Sequence, residues 1–321
     1  MLNSFCMILI TPPYSDVPHF LVLCHTIERS KTSSRIVVTA LSSLQVSTTV
    51  MFTLCVLNCD DAKAWSPIDF GDMFNASIYE DCDCCYIWNI AKEKKLPEYI
   101  DTCTAIVITG SRFNCRDNLE WFEPLCEFVR RIAELGKQRI YGGCFGCQLI
   151  AYALGGVVDY NPKLNFVLKA ETVKINEKTF WQSLPTAATS IHCACSTEAS
   201  LRCEKVDEKI IAEKKSFNLL VSHGDCVIQL PPNAELLASS DSCQHEIYIA
   251  GVTRNILACQ SHPEFDLDYS IHERIWPAVV EKNNRLTETE IVEAKETFAK
   301  YTGEDAILFR KLISAFLRNQ E

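Results

Sequence analysis

The stretch of sequence that decides the fold is Gln138-Arg139-Ile140-Tyr141-Gly142-Gly143-Cys144-Phe145-Gly146-Cys147-Gln148-Leu149-Ile150-Ala151-Tyr152-Ala153-Leu154-Gly155-Gly156. A short apolar run leads to glycines that flank one cysteine. Apolar residues then recur at helical spacing until a glycine pair, which is typical of a strand, a sharp turn and a helix. Unpaired N–H groups and the helix dipole favour an anion at such a turn. The stretch therefore predicts that Cys144 is a reactive thiol at an exposed elbow. The flanking glycines tolerate the strained backbone that such an elbow requires.

Residues 256–265 offer a proton-transfer partner for this thiol. An apolar run ends there, and His262 follows it at the start of a loop. Glu264 lies two residues further on, a spacing at which a short loop presents both side chains and the carboxylate orients the imidazole. The alternative for Cys144 alone is a buried apolar cysteine. The flanking glycines and the Ser-His-Pro-Glu sequence instead favour a catalytic triad of Cys144, His262 and Glu264.

These motifs resemble those of the class I glutamine amidotransferases, whose elbow reads Gly-x-Cys-x-Gly-x-Gln and whose base lies in His-Pro-Glu. The resemblance runs from about Thr53 to the C-terminus, and residues 221–227 are similar to the family's Ser-His-Gly-Asp segment. Within the family, residues 59–61 and 70–74 and a three-helix tail are most similar to the γ-glutamyl peptidases. These are single-domain relatives, like the GMP synthase amidotransferase-like proteins, and they act on glutathione-type conjugates.

The resemblance also implies roles for residues outside the triad. Backbone N–H groups of Gly110, Ser111 and Phe145 would form an oxyanion hole, and Gln148 and His223 would line the substrate pocket. The alternatives are a simple turn at Gly110 and structural roles for Gln148 and His223.

Two stretches depart from the family. Relatives usually carry a glycine and a glutamate shortly after the glycine pair, whereas residues 159–165 contain neither, which leaves the substrate open. Residues 180–217 predict a longer insertion over the active-site side than the peptidases have.

Local patterns predict an α/β fold. Buried strands are expected at residues 52–58 and 104–109, an exposed strand at 166–175, and further strands at 219–222, 235–239, 246–252 and 257–260. Amphipathic helices are expected at residues 119–135, 267–281, 288–301 and 305–317, with Thr287 as an N-cap. These elements predict a three-layer α/β/α, doubly wound, mostly parallel sheet of the flavodoxin-like type, with a helical tail and a site at the carboxyl ends of the strands.

Composition limits the partners and the compartment. The 321 residues carry a formal net charge of −10, and clustered lysines and arginines are lacking, which disfavours nucleic acid and anionic membranes. Eighteen cysteines are scattered along a chain that is not small, so free thiols in a reducing cytosol are expected. Residues 81–85 and 192–195 group cysteines with acids or histidine, but they lack the paired spacing of zinc sites. No metal and no cofactor is expected.

The N-terminal part of the chain carries no recognisable pattern. We expect residues 1–50 to be an extension of unknown order and residues 51–321 to form the amidotransferase-like domain. Residues 36–57 are uncharged and long enough to cross a bilayer, but serines, threonines and a needed sheet strand favour a non-membrane interpretation.

The combined expectation is a cysteine-dependent hydrolase that cleaves small γ-glutamyl compounds, such as glutamine, glutathione or its conjugates, through a glutamyl thioester. One alternative is the glutaminase subunit of an amidotransferase that passes ammonia to a separate synthetase subunit. The other is a catalytically degenerate binding protein that keeps the fold.

Overall fold

The structure is a computed structural model that describes residues 8–9, 20–21, 52–78, 84–184 and 214–319. The chain divides into two compact units, Met1–Thr49 and Val50–Glu321. In the first unit, the described residues Ile8–Leu9 pair antiparallel with Phe20–Leu21. That residues 1–50 are an extension to a separate amidotransferase-like domain stays a prediction. The second unit carries every residue of the predicted site.

The strands of the second unit are β1 (Thr53–Asn58), β2 (Cys84–Asn89), β3 (Ala105–Ile108), β4 (Arg139–Gly143), β5 (Val157–Tyr160), β6 (Val167–Ile175), β7 (Ser216–His223), β8 (Asp225–Gln229), β9 (Glu235–Ser239), β10 (Ile247–Ala250) and β11 (Ile256–Cys259). The helices are α1 (Phe70–Ile78), α2 (Ile90–Glu93), α3 (Phe122–Leu135), α4 (Phe145–Ala153), α5 (Glu177–Ser183), α6 (Glu288–Phe298) and α7 (Glu304–Arg318). Short 3-10 turns lie at Lys63–Trp65 and Ile100–Thr102, and π-helical segments at Leu267–Ile275 and Pro277–Lys282.

Nine strands form one mixed sheet in the order β2-β1-β3-β4-β11-β10-β9-β6-β7. Neighbours from β2 to β11 are parallel, and neighbours from β11 to β7 are antiparallel. The strands β5 and β8 pair separately. In the parallel half, Gly143 at the end of β4 lies opposite Cys259 at the end of β11. The segments that follow these strands therefore leave the sheet at the same edge, as the sequence predicts for Cys144 and His262.

Both faces of the sheet are covered by helices. The strand β3 is fully buried because α3 and α4 pack on one face and α7 packs on the other. On α3, the apolar residues recur at helical spacing, and Gly136 ends the helix in the left-handed conformation at φ 66°. Residues of α7 such as Phe309 and Phe316 are fully buried against the opposite face. The predicted three-layer α/β/α fold with a helical tail is confirmed.

The structure corrects the expectation that residues 166–175 form an exposed strand. The strand β6 is mostly buried because β9 and β7 flank it and α6 covers it. The Thr297 hydroxyl of α6 even accepts a 3.2 Å hydrogen bond from the N–H of Ala170. The alternating pattern on this strand therefore reflects contact with a helix as well as the exposure of Thr172 and Lys174.

Two further local predictions are resolved in the C-terminal part. The predicted helix over residues 267–281 is confirmed with π-helical hydrogen bonding: the segments Leu267–Ile275 and Pro277–Lys282 flank Trp276, whose own backbone is helical at φ −54° and ψ −51°. Thr287 caps α6 as predicted, and it forms a capping box with Glu290. Most of the predicted insertion, residues 185–213, lies outside the described residues.

Candidate active site

Cys144 occupies a strained turn between β4 and α4. Its backbone has φ 47° and ψ −103°, a conformation that residues with a side chain rarely adopt. Two main-chain bonds hold it there: its N–H donates to the Cys259 oxygen at 2.8 Å, and its oxygen accepts from the Gln148 N–H at 3.1 Å. Strain of this kind persists only where surrounding contacts over-determine the backbone, and it is concentrated at functional sites.

The glycines around Cys144 permit a close approach of helix and strand. A Cβ atom added at Gly146 would lie 2.2 Å from the main-chain oxygen of Ile108, and one added at Gly142 would lie 2.4 Å from Ile150 Cδ1. Side chains at these positions would force α4 away from the sheet. The glycines on either side of Cys144 therefore set its position relative to β3 and β4.

His262 and Glu264 form a buried pair. The distance from His262 Nδ1 to Glu264 Oε1 is 2.7 Å, and the two residues are 2% and 5% exposed. Because Nδ1 donates to the carboxylate, Nε2 is left for exchange with the thiol. Phe265 stacks on the imidazole at 4.0 Å between ring centroids and 4° between planes, which fixes the ring orientation.

The protonation state of His262 follows from its neighbours. Burial lowers its pKa, but the charges and hydrogen bonds of Cys144 and Glu264 outweigh burial and raise the pKa to about 10. At neutral pH the histidine is an imidazolium between a sulfur and a carboxylate. The arrangement therefore places a cationic ring beside the sulfur of Cys144.

The antiparallel half of the sheet curls over to complete the site. The His262 N–H donates to the Leu220 oxygen of β7, the far edge strand, at 2.8 Å. The same strand places the Ser222 oxygen 3.9 Å from Cys144 Sγ. The segment that resembles the family's Ser-His-Gly-Asp motif is therefore brought beside the cysteine.

The two residues expected to line the substrate pocket are both buried. Gln148 is 3% exposed, and its Nε2 donates to the Asp225 oxygen at 2.9 Å and to Gln260 Oε1 at 3.1 Å. His223 is also 3% exposed and bonds to the same Asp225 oxygen through Nδ1 at 3.0 Å. Burial lowers the pKa of His223 to about 4, so this ring is neutral.

Of the predicted oxyanion-hole residues, Gly110 lies against His262 and Phe145 directly follows Cys144. A Cβ added at Gly110 would be 3.2 Å from His262 Cε1, which places this turn against the imidazole. The turn is fixed by a 2.7 Å bond from the Ser111 hydroxyl to the Cys59 oxygen. In the described part of the chain, no hydrogen bond uses the N–H groups of Gly110, Ser111 or Phe145. Within the described residues, these three N–H groups thus have no recorded hydrogen-bond acceptor.

Sequence reasoning missed two residues that support the site. Gln260 Nε2 lies 3.5 Å from Cys144 Sγ, and Arg310 Nη1 donates to the Pro263 oxygen at 3.0 Å. Gln260 precedes His262 by two residues, so strand alternation could have indicated a shared direction for both. No local signal connects Arg310 with the triad, because it lies on the last helix.

Metal binding has little support in the ranges that the structure covers. No group of three or more histidine, cysteine, aspartate or glutamate side chains within them could hold an ion. Residues 81–83 and 192–195 fall outside those ranges, so the expectation of no metal there stays a prediction. Across the same ranges, no helix has the length and apolar character of a membrane span.

The sequence is similar to those of known proteins. The glutamine amidotransferase class-I family model matches residues 67–274. Gamma-glutamyl peptidase 4 of Arabidopsis thaliana is 29% identical over 237 residues, which cover 71% of this chain and 77% of the relative. Gamma-glutamyl peptidase 3 of the same plant is 28% identical over 273 residues, which cover 83% and 96% respectively.

The fold also has a counterpart among solved structures. A glutamine amidotransferase from Thermotoga maritima aligns with a TM-score of 0.58 at 15% identity, over 84% of this chain and 99% of that one. At this identity the likeness concerns the fold alone. Since the family model matches more than half of the sequence, the chain belongs to the class I glutamine amidotransferase family.

Proposed function

We propose that the protein is a cysteine-dependent hydrolase of γ-glutamyl amide or peptide bonds, with Cys144 as nucleophile, His262 as acid and base, and Glu264 as the residue that orients the histidine. The observation that carries the proposal is the strained elbow at Cys144 beside the buried His262–Glu264 pair. The names of the two plant relatives support γ-glutamyl compounds as the substrate class.

The first half-reaction forms a thioester. The Cys144 thiolate attacks the side-chain carbonyl of the γ-glutamyl unit, and the N–H groups of Gly110, Ser111 and Phe145 stabilise the resulting oxyanion. Each such donor contributes about 3 kcal/mol in comparable hydrolases. The His262 imidazolium gives its proton to the leaving amine as the carbon–nitrogen bond breaks.

The second half-reaction restores the enzyme. Neutral His262 removes a proton from water, and the resulting hydroxide attacks the thioester carbon. Glutamate leaves, and the Cys144 thiolate and the His262 imidazolium are re-formed. Glu264 remains ionised and holds the imidazole in one orientation throughout.

The compartment that suits this chemistry is a reducing one. All twelve cysteines within the described ranges are free, and many are buried beside one another. We place the enzyme in the cytosol, where thiols stay reduced.

A second candidate is a glutaminase subunit that supplies ammonia to a separate synthetase. Membership of the glutamine amidotransferase family favours it, since that chemistry uses the same thioester. The two candidates differ in substrate preference and in dependence on a partner. A third candidate is a binding protein that keeps the fold but has no catalytic activity.

The decisive experiment gives purified protein glutamine, glutathione, a glutathione S-conjugate and γ-glutamyl-p-nitroanilide, and measures released glutamate by mass spectrometry. Cleavage of the peptides well above glutamine supports the peptidase. Cleavage of glutamine alone, and only after cell extract is added, supports the subunit. No glutamate from any compound, with reduced Cys144, supports the binding protein.

A matched pair of variants links the activity to one thiol. Cys144→Ser should abolish glutamate release while the variant still unfolds in one cooperative thermal transition. Cys84→Ser, at a half-buried cysteine on the edge strand β2, should retain full activity. Equal loss in both variants contradicts the assignment of Cys144.

A further inference from the structure

The sulfur of Cys144 has a hydrogen-bond donor that the mechanism above does not use. Gln260 follows the end of β11, is fully buried, and places Nε2 3.5 Å from Cys144 Sγ. This donor approaches in addition to the imidazolium of His262. A buried amide aimed at a nucleophile needs an explanation, because an amide in an apolar wall must satisfy its polar atoms.

The orientation of the Gln260 amide is fixed by its neighbours. The main-chain oxygen of Asp225 can only accept, so the Gln148 atom 2.9 Å from it is the amide nitrogen. That nitrogen has a second proton, which it donates to a Gln260 atom at 3.1 Å. This atom must be the Gln260 oxygen, and the end that faces the sulfur is therefore the NH2 group.

We propose that Gln260 is a catalytic residue that donates a hydrogen bond to the Cys144 thiolate, and that Gln148 is a positioning residue that holds the Gln260 amide in this orientation. The proposal rests on the proposed function only in taking Cys144 as the nucleophile. A hydrogen bond to a charged acceptor is stronger than one between neutral groups, so the donor favours the thiolate over the thiol.

The hydrogen bond from Gln148 to Gln260 also gives Gln148 a role other than substrate binding. Both protons of its amide are engaged by the Asp225 oxygen and the Gln260 oxygen, and its side chain is almost fully enclosed. Substrate would contact the sulfur of Cys144, whereas Gln148 acts on the sulfur only through Gln260. Loss of Gln148 should therefore affect the thiolate in the same direction as loss of Gln260, and less strongly.

The test follows the thiolate itself, without substrate. The rate of Cys144 alkylation by iodoacetamide is measured against pH by peptide mass spectrometry for the wild type, Gln260→Met, Gln260→Glu and Gln148→Met. In Gln260→Met, the midpoint of the profile should rise by about one to two pH units, and the rate at pH values below the wild-type midpoint should fall about 10- to 100-fold. Gln260→Glu keeps the shape and the acceptor for Gln148 and adds a like charge, so its midpoint should rise at least as far.

Gln138 provides the matched control for a buried glutamine outside the site. Its Nε2 donates to the main-chain oxygens of Ile100 and Cys103 at 3.0 and 2.7 Å. Gln138→Met should lower the melting temperature and leave the alkylation profile of Cys144 unchanged. An equal shift in Gln138→Met, or wild-type profiles in both Gln260 variants, overturns the proposal.

The alkylation result is independent of the substrate. If the wild type hydrolyses no γ-glutamyl compound, yet the variants show the predicted shifts, the proposed function is wrong and the role of Gln260 stands. Should Gln260→Met not fold, the isosteric Gln260→Glu still decides between a thiolate donor and a merely structural amide.

Discussion

Arg310 of α7 donates a 3.0 Å hydrogen bond from Nη1 to the main-chain oxygen of Pro263, the residue that joins His262 to Glu264. The last helix thus holds the short loop that carries the proposed acid–base pair. Arg310 is half-buried, and burial lowers its pKa, although a guanidinium remains charged throughout the physiological range. The C-terminal tail therefore does more than cover the sheet.

Substitution of this arginine should affect turnover more than substrate affinity. In Arg310→Met, we expect kcat for glutathione-type substrates to fall about 10-fold while KM changes little, because a looser His262–Glu264 loop misplaces the imidazole in the transition state. Arg318→Met is the control. Arg318 lies on the same helix as Arg310, but it bonds to the Ile78 oxygen, away from the proposed triad. A similar fall in kcat for both variants contradicts the role of Arg310.

The pH dependence of activity should report the His262 imidazolium. Its pKa is raised from 6.5 to about 10, so kcat/KM for glutathione should hold above neutrality and fall as the pH approaches about 10. Glu264→Gln removes one of the charges that raise this pKa, so its alkaline fall should begin at lower pH. Glutamate is measured by mass spectrometry at each pH.

The raised pKa of His262 should also make the free energy of unfolding depend on pH. The folded state holds the His262 proton more tightly than the unfolded chain does. This contribution is therefore complete below about 6.5 and is lost as the pH rises through about 10. Denaturant unfolding of Cys144→Ser, which lacks the thiolate partner, should show a weaker alkaline loss. An unchanged alkaline loss in this variant contradicts the coupling.

Gly146→Ala should test the close contact between α4 and β3. The added carbon would lie 2.2 Å from the Ile108 main-chain oxygen, which cannot move away without disturbing the sheet. We expect a loss in the free energy of unfolding at or above the upper end of the about 1–3 kcal/mol typical of overpacked cores. Gly224→Ala, where the nearest atoms are 3.4 Å away, should melt close to the wild type.

Removal of the first fifty residues tests the predicted domain boundary. A chain that begins at Met51 retains the whole sheet and all three triad residues. It should unfold cooperatively, as followed by circular dichroism, and release glutamate at the wild-type rate. Aggregation of the shortened chain, with detergent needed to extract the full chain, would instead favour a membrane role for residues 36–57.

The parts of the site that sequence reasoning found are those with local signals. Glycines around Cys144 mark a turn that only small residues permit, and the two-residue spacing of His262 and Glu264 suffices for a hydrogen bond within one loop. The parts that it missed depend on distant segments. The bond from Arg310 to the loop and the curl that brings β7 to His262 join residues far apart in sequence, and hydrophobic periodicity carries no information about such pairings.

The burial of β6 was missed for a related reason. Alternation of apolar and polar residues identifies a strand, but it does not distinguish a face that meets water from one that meets the polar side of a helix. Lys169 of this strand pairs with Glu293 of α6 at 2.9 Å. One of the polar residues that suggested exposure therefore contacts a helix, whereas Thr172 and Lys174 are exposed.

The curl of the antiparallel half has a consequence for synthesis of the protein. Cys144 leaves the ribosome long before Leu220 and His262, and the contacts between them close long loops that form late in folding. Under the proposed mechanism, a nascent chain that ends at α4 carries Cys144 without the imidazolium that would activate it. The proposed reactivity of the thiol would therefore arise only once the C-terminal third of the chain has been made.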